Sequence, residues 1–276
     1  MATPPQRPRV ILDLRHGAIE RAFVRTAAEL AQMLGVALHG VFHQDAALSG
    51  LAELTFVREF RLGTGAWQPL DRQRLAEEQR AAAAEARRVL NDVAAALGVT
   101  QLFEIITGDP ALFFAAATQG DIIVVAQPRL PAEQLVQGTA RWLEAAHGAA
   151  SVMLVPQALT RRAGPVAAVV CRESDPALAM ATRVAIAANE PLLLLIWGPP
   201  ELAAEAATRA RRAGLPQHRI SIRPLRGVSP DDVLQGLGAE SERLVVLARG
   251  ACGADDAAIS SHIAASRGVP VLVMEP

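Results

Sequence analysis

The sequence predicts an α/β protein built of two doubly wound, five-stranded parallel-sheet domains in tandem. Short apolar runs alternate with helical patterns along the whole chain, which implies parallel strands joined by right-handed crossovers. The order of those elements occurs twice. The composition agrees: of 276 residues 51% are hydrophobic but only 4% aromatic. The core must then be made of Ala, Val, Leu and Ile, which suits parallel strands under Ala-rich helices.

The first half opens with the apolar run Val10-Ile11-Leu12 and a polar turn. A helix follows, lined on one face by Phe23, Ala27, Leu30 and Leu34, with Gly35 placed to end it. Val36 to Phe42 reads as a strand, and a long helix runs from Asp71, a good N-cap, to Gly98. Its buried stripe is expected to be Leu75, Ala82, Ala86, Val89, Val93 and Leu97. Strands at Leu102–Ile106, Ile122–Val125 and Val152–Val155 finish this half, with helices at Ala111–Thr118 and around Gly138 to His147. The second half repeats the order with strands Ala167–Cys171, Leu192–Trp197, Ile220–Ile222, Leu244–Leu247 and Val271–Met274. Its helices are expected at Pro176–Ala188, Glu201–Ala213 and Asp255–Ser266.

Local matches support the repeat. GDIIVVAQ from Gly120 pairs with ERLVVLAR from Glu242, and SVMLVP from Ser151 with PVLVME from Pro270. The expected division is a first domain at 1–156, a linker at 157–165 and a second domain at 166–276. The first half carries a surplus: Phe42 to Gly108 spans 66 positions, against 31 from Ile196 to Gly227. Part of it is an insertion at 46–70 with Leu54, Phe56, Phe60, Leu62 and Trp67 around a Gly63-Thr64-Gly65 turn. The simpler expectation is that these side chains pack on their own domain as an Ω-like cover. The alternative is that Phe56, Phe60 and Trp67 form an interaction surface, for a homodimer or another protein partner.

Charge and composition exclude several classes. Net charge is −1 from 27 basic and 28 acidic residues, without the basic stripe of a nucleic-acid binder. The start, MATPPQRPR, lacks an apolar signal region, and the run Pro191 to Trp197 is too short to span a bilayer. A cytoplasmic location without membrane insertion is the expectation. The chain has no lysine and no tyrosine, which removes the Walker-type phosphate loop and lysine or tyrosine acid/base chemistry. No Gly-x-Ser-x-Gly elbow or Gly-x-Gly-x-x-Gly fingerprint appears. His39 and His43, four apart on a strand, are separated by about 13 Å, too far to share one metal ion. No metal site is expected. Trp142 and Trp197 fall at expected core positions.

The strand-plus-loop unit near the end of each half resembles that of the universal stress proteins. In that family an apolar strand ends in Gly-x-x-Gly, and nine residues later Gly-Ser or Gly-Thr opens a helix. Here the first half has Gly138-Thr139, but its loop reads Ala126-Gln127-Pro128-Arg129. The second half has Gly250-Ala251-Cys252-Gly253 but no later Gly-Ser or Gly-Thr. The resemblance covers nearly the whole chain, twice. It implies strand order 3-2-1-4-5 in each domain and pairing of domains through their last strands. It also implies ATP, ADP or AMP held on Gly138, Thr139, Gly250 and Gly253, with an aspartate after the first strand at the nucleoside. Asp13 lies about one position early for that role, and Arg172 or Glu173 stands there in the second half. Each half keeps only a fragment of the motif, which counts against nucleotide binding.

The resulting expectation is a non-catalytic regulatory or stress-response protein. Two alternatives stand beside it: an interaction module with vestigial nucleotide pockets and a docking insertion, and a weak nucleotide hydrolase. Cys171 and Cys252 form one further pair. If the first and fourth strands of the second half are neighbours, both thiols face one crevice. The simpler reading is two small residues near a helix start; the other is a redox-sensitive pair.

Overall fold

The computed structural model describes residues 8–14, 20–44, 50, 54, 56–61, 63, 65–108, 110–118, 120–127, 150–159, 161–250 and 256–275. The first half runs β1 (Arg9–Leu14), α1 (Arg21–Leu34), β2 (Ala37–Gln44), a hairpin of β3 (Arg58–Arg61) and β4 (Ala66–Pro69), then α2 (Arg72–Leu97). It continues through β5 (Gln101–Thr107), α3 (Pro110–Ala115), β6 (Ile122–Ala126) and β7 (Ser151–Val155). The second half is β8 (Val166–Val170), α4 (Pro176–Ala187), β9 (Leu192–Ile196), α5 (Pro200–Arg212), β10 (Ile220–Pro224), α6 (Pro230–Leu237), β11 (Leu244–Ala248), α7 (Asp256–Arg267) and β12 (Val271–Met274).

Local chemistry sets several of these boundaries. Asp71 accepts from the backbone N–H groups of Gln73 and Arg74 and starts α2. Ser229 and Asp232 form a reciprocal capping box on α6, with Pro230 as its first residue. Gly35 ends α1 at φ +65°, a left-handed conformation that costs a residue with a Cβ. The burial stripe of α2 is rotated from the expected one: Ala83, Ala86, Val89, Leu90, Val93 and Ala94 are buried, whereas Leu75 and Ala82 are only half-buried. At its amino end Arg74 pairs instead with Glu59 of the hairpin.

Ten described strands form one sheet in the order β10-β9-β8-β11-β12-β7-β6-β1-β2-β5. Each half of the sheet follows the expected 3-2-1-4-5 order, and where two five-stranded sheets meeting at their last strands were expected, the described strands form one continuous sheet. The junction is the antiparallel pairing of β12 with β7, Val271 opposite Leu154 and Val273 opposite Val152. Every other neighbouring pair in this sheet is parallel. Joining the two last strands satisfies two rows of backbone groups that would otherwise be open edges.

Alternate side chains enter two cores. Val10, Leu12 and Leu14 of β1 face a layer built from α1, α2, α4 and α5. Ile11 of the same strand faces a layer containing Phe114 of α3, Val233 of α6 and Ile263 of α7. Nearly all strand residues near the middle of the sheet are therefore apolar, as a sheet covered on both faces requires.

Two expectations about large side chains are corrected. Trp197 is 39% exposed, because it stands one residue beyond β9, where the strand leaves its covering helices. The described large apolar residues of the insertion do not form a buried cover. Phe56 is 77% exposed, Trp67 63% and Phe60 47%. Phe60 and Trp67 lie directly across the β3–β4 pair, with ring centroids 5.4 Å apart. The rings pack on each other and present their remaining faces to water.

Candidate functional site

The sheet reverses strand order beside β1 and β6 in the first half and beside β8 and β11 in the second, and both pairs are parallel. An open α/β sheet binds ligands outside the carboxyl ends of such pairs. Asp13 lies near the carboxyl end of β1, opposite Val41 of β2, and is buried. Cys171 follows β8, and Gly250 follows β11 at φ +61°, with open space where a Cβ would stand. Asp13 thus belongs to one crevice, and Cys171 and Gly250 to the other. Gly138, Thr139, Cys252, Gly253 and Trp142 lie outside the described residues.

The two loop starts behave alike. The backbone N–H of Gln127, after β6, donates to Val155 O at 2.8 Å. That of Arg249, after β11, donates to Met274 O at 2.8 Å. Each N–H is spent on the neighbouring last strand and is not turned toward a ligand. The Gln127 amide also reaches across the seam to Ser261 O of α7 at 3.3 Å.

In the second crevice the residue that organises the loop is Asp175, which the sequence reading passed over. Its carboxylate accepts from Cys171 N and Ala177 N, both at 3.0 Å, so it caps α4 and ties the start of the loop to its end. Burial raises its pKa above the ordinary carboxylate value, and those backbone hydrogen bonds oppose the shift. The Asp175-Pro176 step before a helical pattern is an N-cap signature that could have identified it. Cys171, whose N–H is held here, is disulfide-bonded.

Charged groups at the opposite, amino ends of the strands serve the scaffold. Asp121, fully buried before β6, accepts from Arg9 N at 3.1 Å and from Thr118 N at 2.9 Å. Glu242, fully buried before β11, receives Arg267 through two hydrogen bonds of 2.6 and 2.8 Å. Each is a buried carboxylate just ahead of the fourth strand of its half of the sheet, one residue before β6 and two before β11. His39 has its Nδ1 at 3.1 Å from Arg9 Nη1 and its Nε2 at 3.2 Å from Glu104. His43 contacts Gly108 O. Among the described residues no group of His, Cys, Asp or Glu is arranged to hold a metal ion. Among them, too, no helix is long and apolar enough to cross a membrane.

Fold and crevices together define an open, doubly wound α/β protein. Its fold is that of the universal stress proteins. The chain is similar to a universal stress protein from Archaeoglobus fulgidus DSM 4304, with TM-score 0.64 and 15% identity over 96% of each chain. It is also similar to a putative universal stress protein from Pseudomonas aeruginosa UCBPP-PA14, with TM-score 0.54 and 12% identity over 97% of this chain and 93% of that one. The cytoplasmic domain of a prokaryotic cation chloride cotransporter matches with TM-score 0.52 and 11% identity, over 97% and 95%. No protein-family model matches the chain, and no curated protein matches its sequence. One fold thus serves proteins of different kinds, and function must be argued from the site.

Proposed function

We propose that the chain is a non-catalytic, stress-responsive regulatory protein made of two universal-stress-type domains, 1–156 and 166–276, joined by the linker 157–165. The observation that carries this reading is the likeness to the Archaeoglobus universal stress protein over 96% of both chains, together with a strand order that reads the same from either end of the sheet. Neither crevice is built for tight nucleotide binding, because the first loop lacks its glycines and the backbone N–H groups of Gln127 and Arg249 are already engaged. Calorimetric titration with ATP, ADP and AMP is expected to give dissociation constants no tighter than about 100 μM, with no phosphate release. Sub-micromolar binding or turnover of ATP would refute the vestigial-pocket part. Protein abundance should rise when the source organism is starved or oxidised, and a flat response across such stresses would remove the stress-responsive part.

A second reading is favoured by the exposed hairpin, namely that it joins two copies of this chain. Phe56, Phe60 and Trp67 would cost about 1.5–3 kcal/mol each if left in water in place of burial. Trp67→Ala combined with Phe60→Ala should lower the mass seen in light scattering and leave the melting temperature within about 2 °C. A large fall in melting temperature at constant mass would show that the rings support only their own chain.

The disulfide at Cys171 favours a redox role for the second crevice, with Cys252 as partner. In a reducing compartment such a bond would be transient, which suits a sensor better than a staple. Mild reductant should free two thiols without changing the molecular mass. With Cys252→Ser, the Cys171 thiol should be free before any reductant is added, and a Cys171 that stays blocked would end this reading.

A further inference from the structure

A cleft lies over the seam of the sheet, away from both carboxyl-end crevices. Its floor includes Met33 of α1, Met153 of β7 and Leu159 of the linker. Arg161 and Arg162 of the linker and Arg243, just before β11, line it as well.

The charge of this cleft is unbalanced. Three arginines line it beside one carboxylate, Glu29. Glu29 is already committed to Arg25, whose Nε donates to it at 2.8 Å, and stands 4.0 Å from Arg243 Nη2. Arg161 makes a long hydrogen bond, 3.4 Å, to Glu240 O. A guanidinium stays charged at every working pH, and its planar fork matches carboxylate or phosphate oxygens in pairs. Methionine and leucine below offer an adaptable apolar bed.

We propose that the seam cleft binds a small amphipathic anion, its carboxylate or phosphate head on the arginines and a short apolar tail on Met33, Met153 and Leu159. It is independent of the stress-protein reading. Because α1 and β7 come from one half and Arg243 from the other, an occupant touches both and stabilises the seam by mass action.

The test is titration of the full chain with hexanoate, hexyl phosphate and 1-hexanol, by calorimetry and by thermal melting. At least one anion should bind and raise the melting temperature, with 1-hexanol at least tenfold weaker. The ratio of hexanoate to hexyl phosphate affinity then assigns the head group. Arg161→Gln with Arg162→Gln, both at the surface of the linker, should leave the unliganded melting temperature unchanged and weaken the anion at least tenfold. Leu159→Trp, which fills the floor, should abolish binding of anion and alcohol alike. The proposal fails if neither anion binds at millimolar concentration, if 1-hexanol binds as well as the anions, or if the double arginine variant binds like wild type.

Discussion

His39 shows how one buried side chain is fixed by its neighbours. Arg9 has only donors to offer, so the Nδ1 it faces must be bare, and the proton sits on Nε2 toward Glu104. Burial lowers its pKa first and the Arg9 charge second, while Glu104 and Asp121 pull the other way. The folded pKa lies below that of the unfolded chain, so the unfolded chain takes up the proton first. The stability linked to neutral His39 is complete above the ordinary value of about 6.5 and is lost as pH falls through it toward the folded value. His39→Gln keeps a donor and an acceptor but cannot titrate. Its urea midpoint should therefore fall less than that of wild type between pH 7.5 and pH 5.5, and equal falls would contradict the assignment. The spacing of His39 and His43 on a strand was enough to discount a shared metal ion. The engagement of both His39 nitrogens was not legible, because Arg9 and Glu104 reach it from other strands.

At the scale of elements, what was legible were features that a few consecutive residues decide. The α2 cap at Asp71 and the stop at Gly35 depend on local backbone chemistry and appear where expected. The hairpin was not legible as one, since REFR and AWQP show no alternation into a core, and its aromatic residues suggested burial. Gly164, at the end of the linker, carries a constraint of a different kind. Its φ is +125°, and a Cβ there would stand 1.9 Å from Ser241 O, a backbone atom that cannot swing aside. Gly214 has a comparable φ of +103° but nothing within 4 Å of such a Cβ. Gly214→Ala should cost about 1–2 kcal/mol from strained backbone alone. Gly164→Ala should cost about 3 kcal/mol or more, since the overlap adds to the strain. Urea denaturation of the two variants checks this, and equal losses would mean the linker shifts freely away from Ser241.

For the whole molecule, the repeat and the meeting of the last strands were readable from SVMLVP and PVLVME, because apolar strand edges must be covered. The seam cleft was not readable, since Arg161 and Arg162 are 81 or more positions from Arg243 and only the fold brings them together. The continuous sheet has a further consequence. When such a seam forms between identical subunits, every insertion appears on both sides and every substitution is made twice. Here β7 and β12 belong to one chain, so each side is free to drift on its own. The hairpin occurs in one half, and Cys171 follows the first strand of the other. A substitution on one side of the seam therefore need not be mirrored on the other, and the two flanks can serve different purposes.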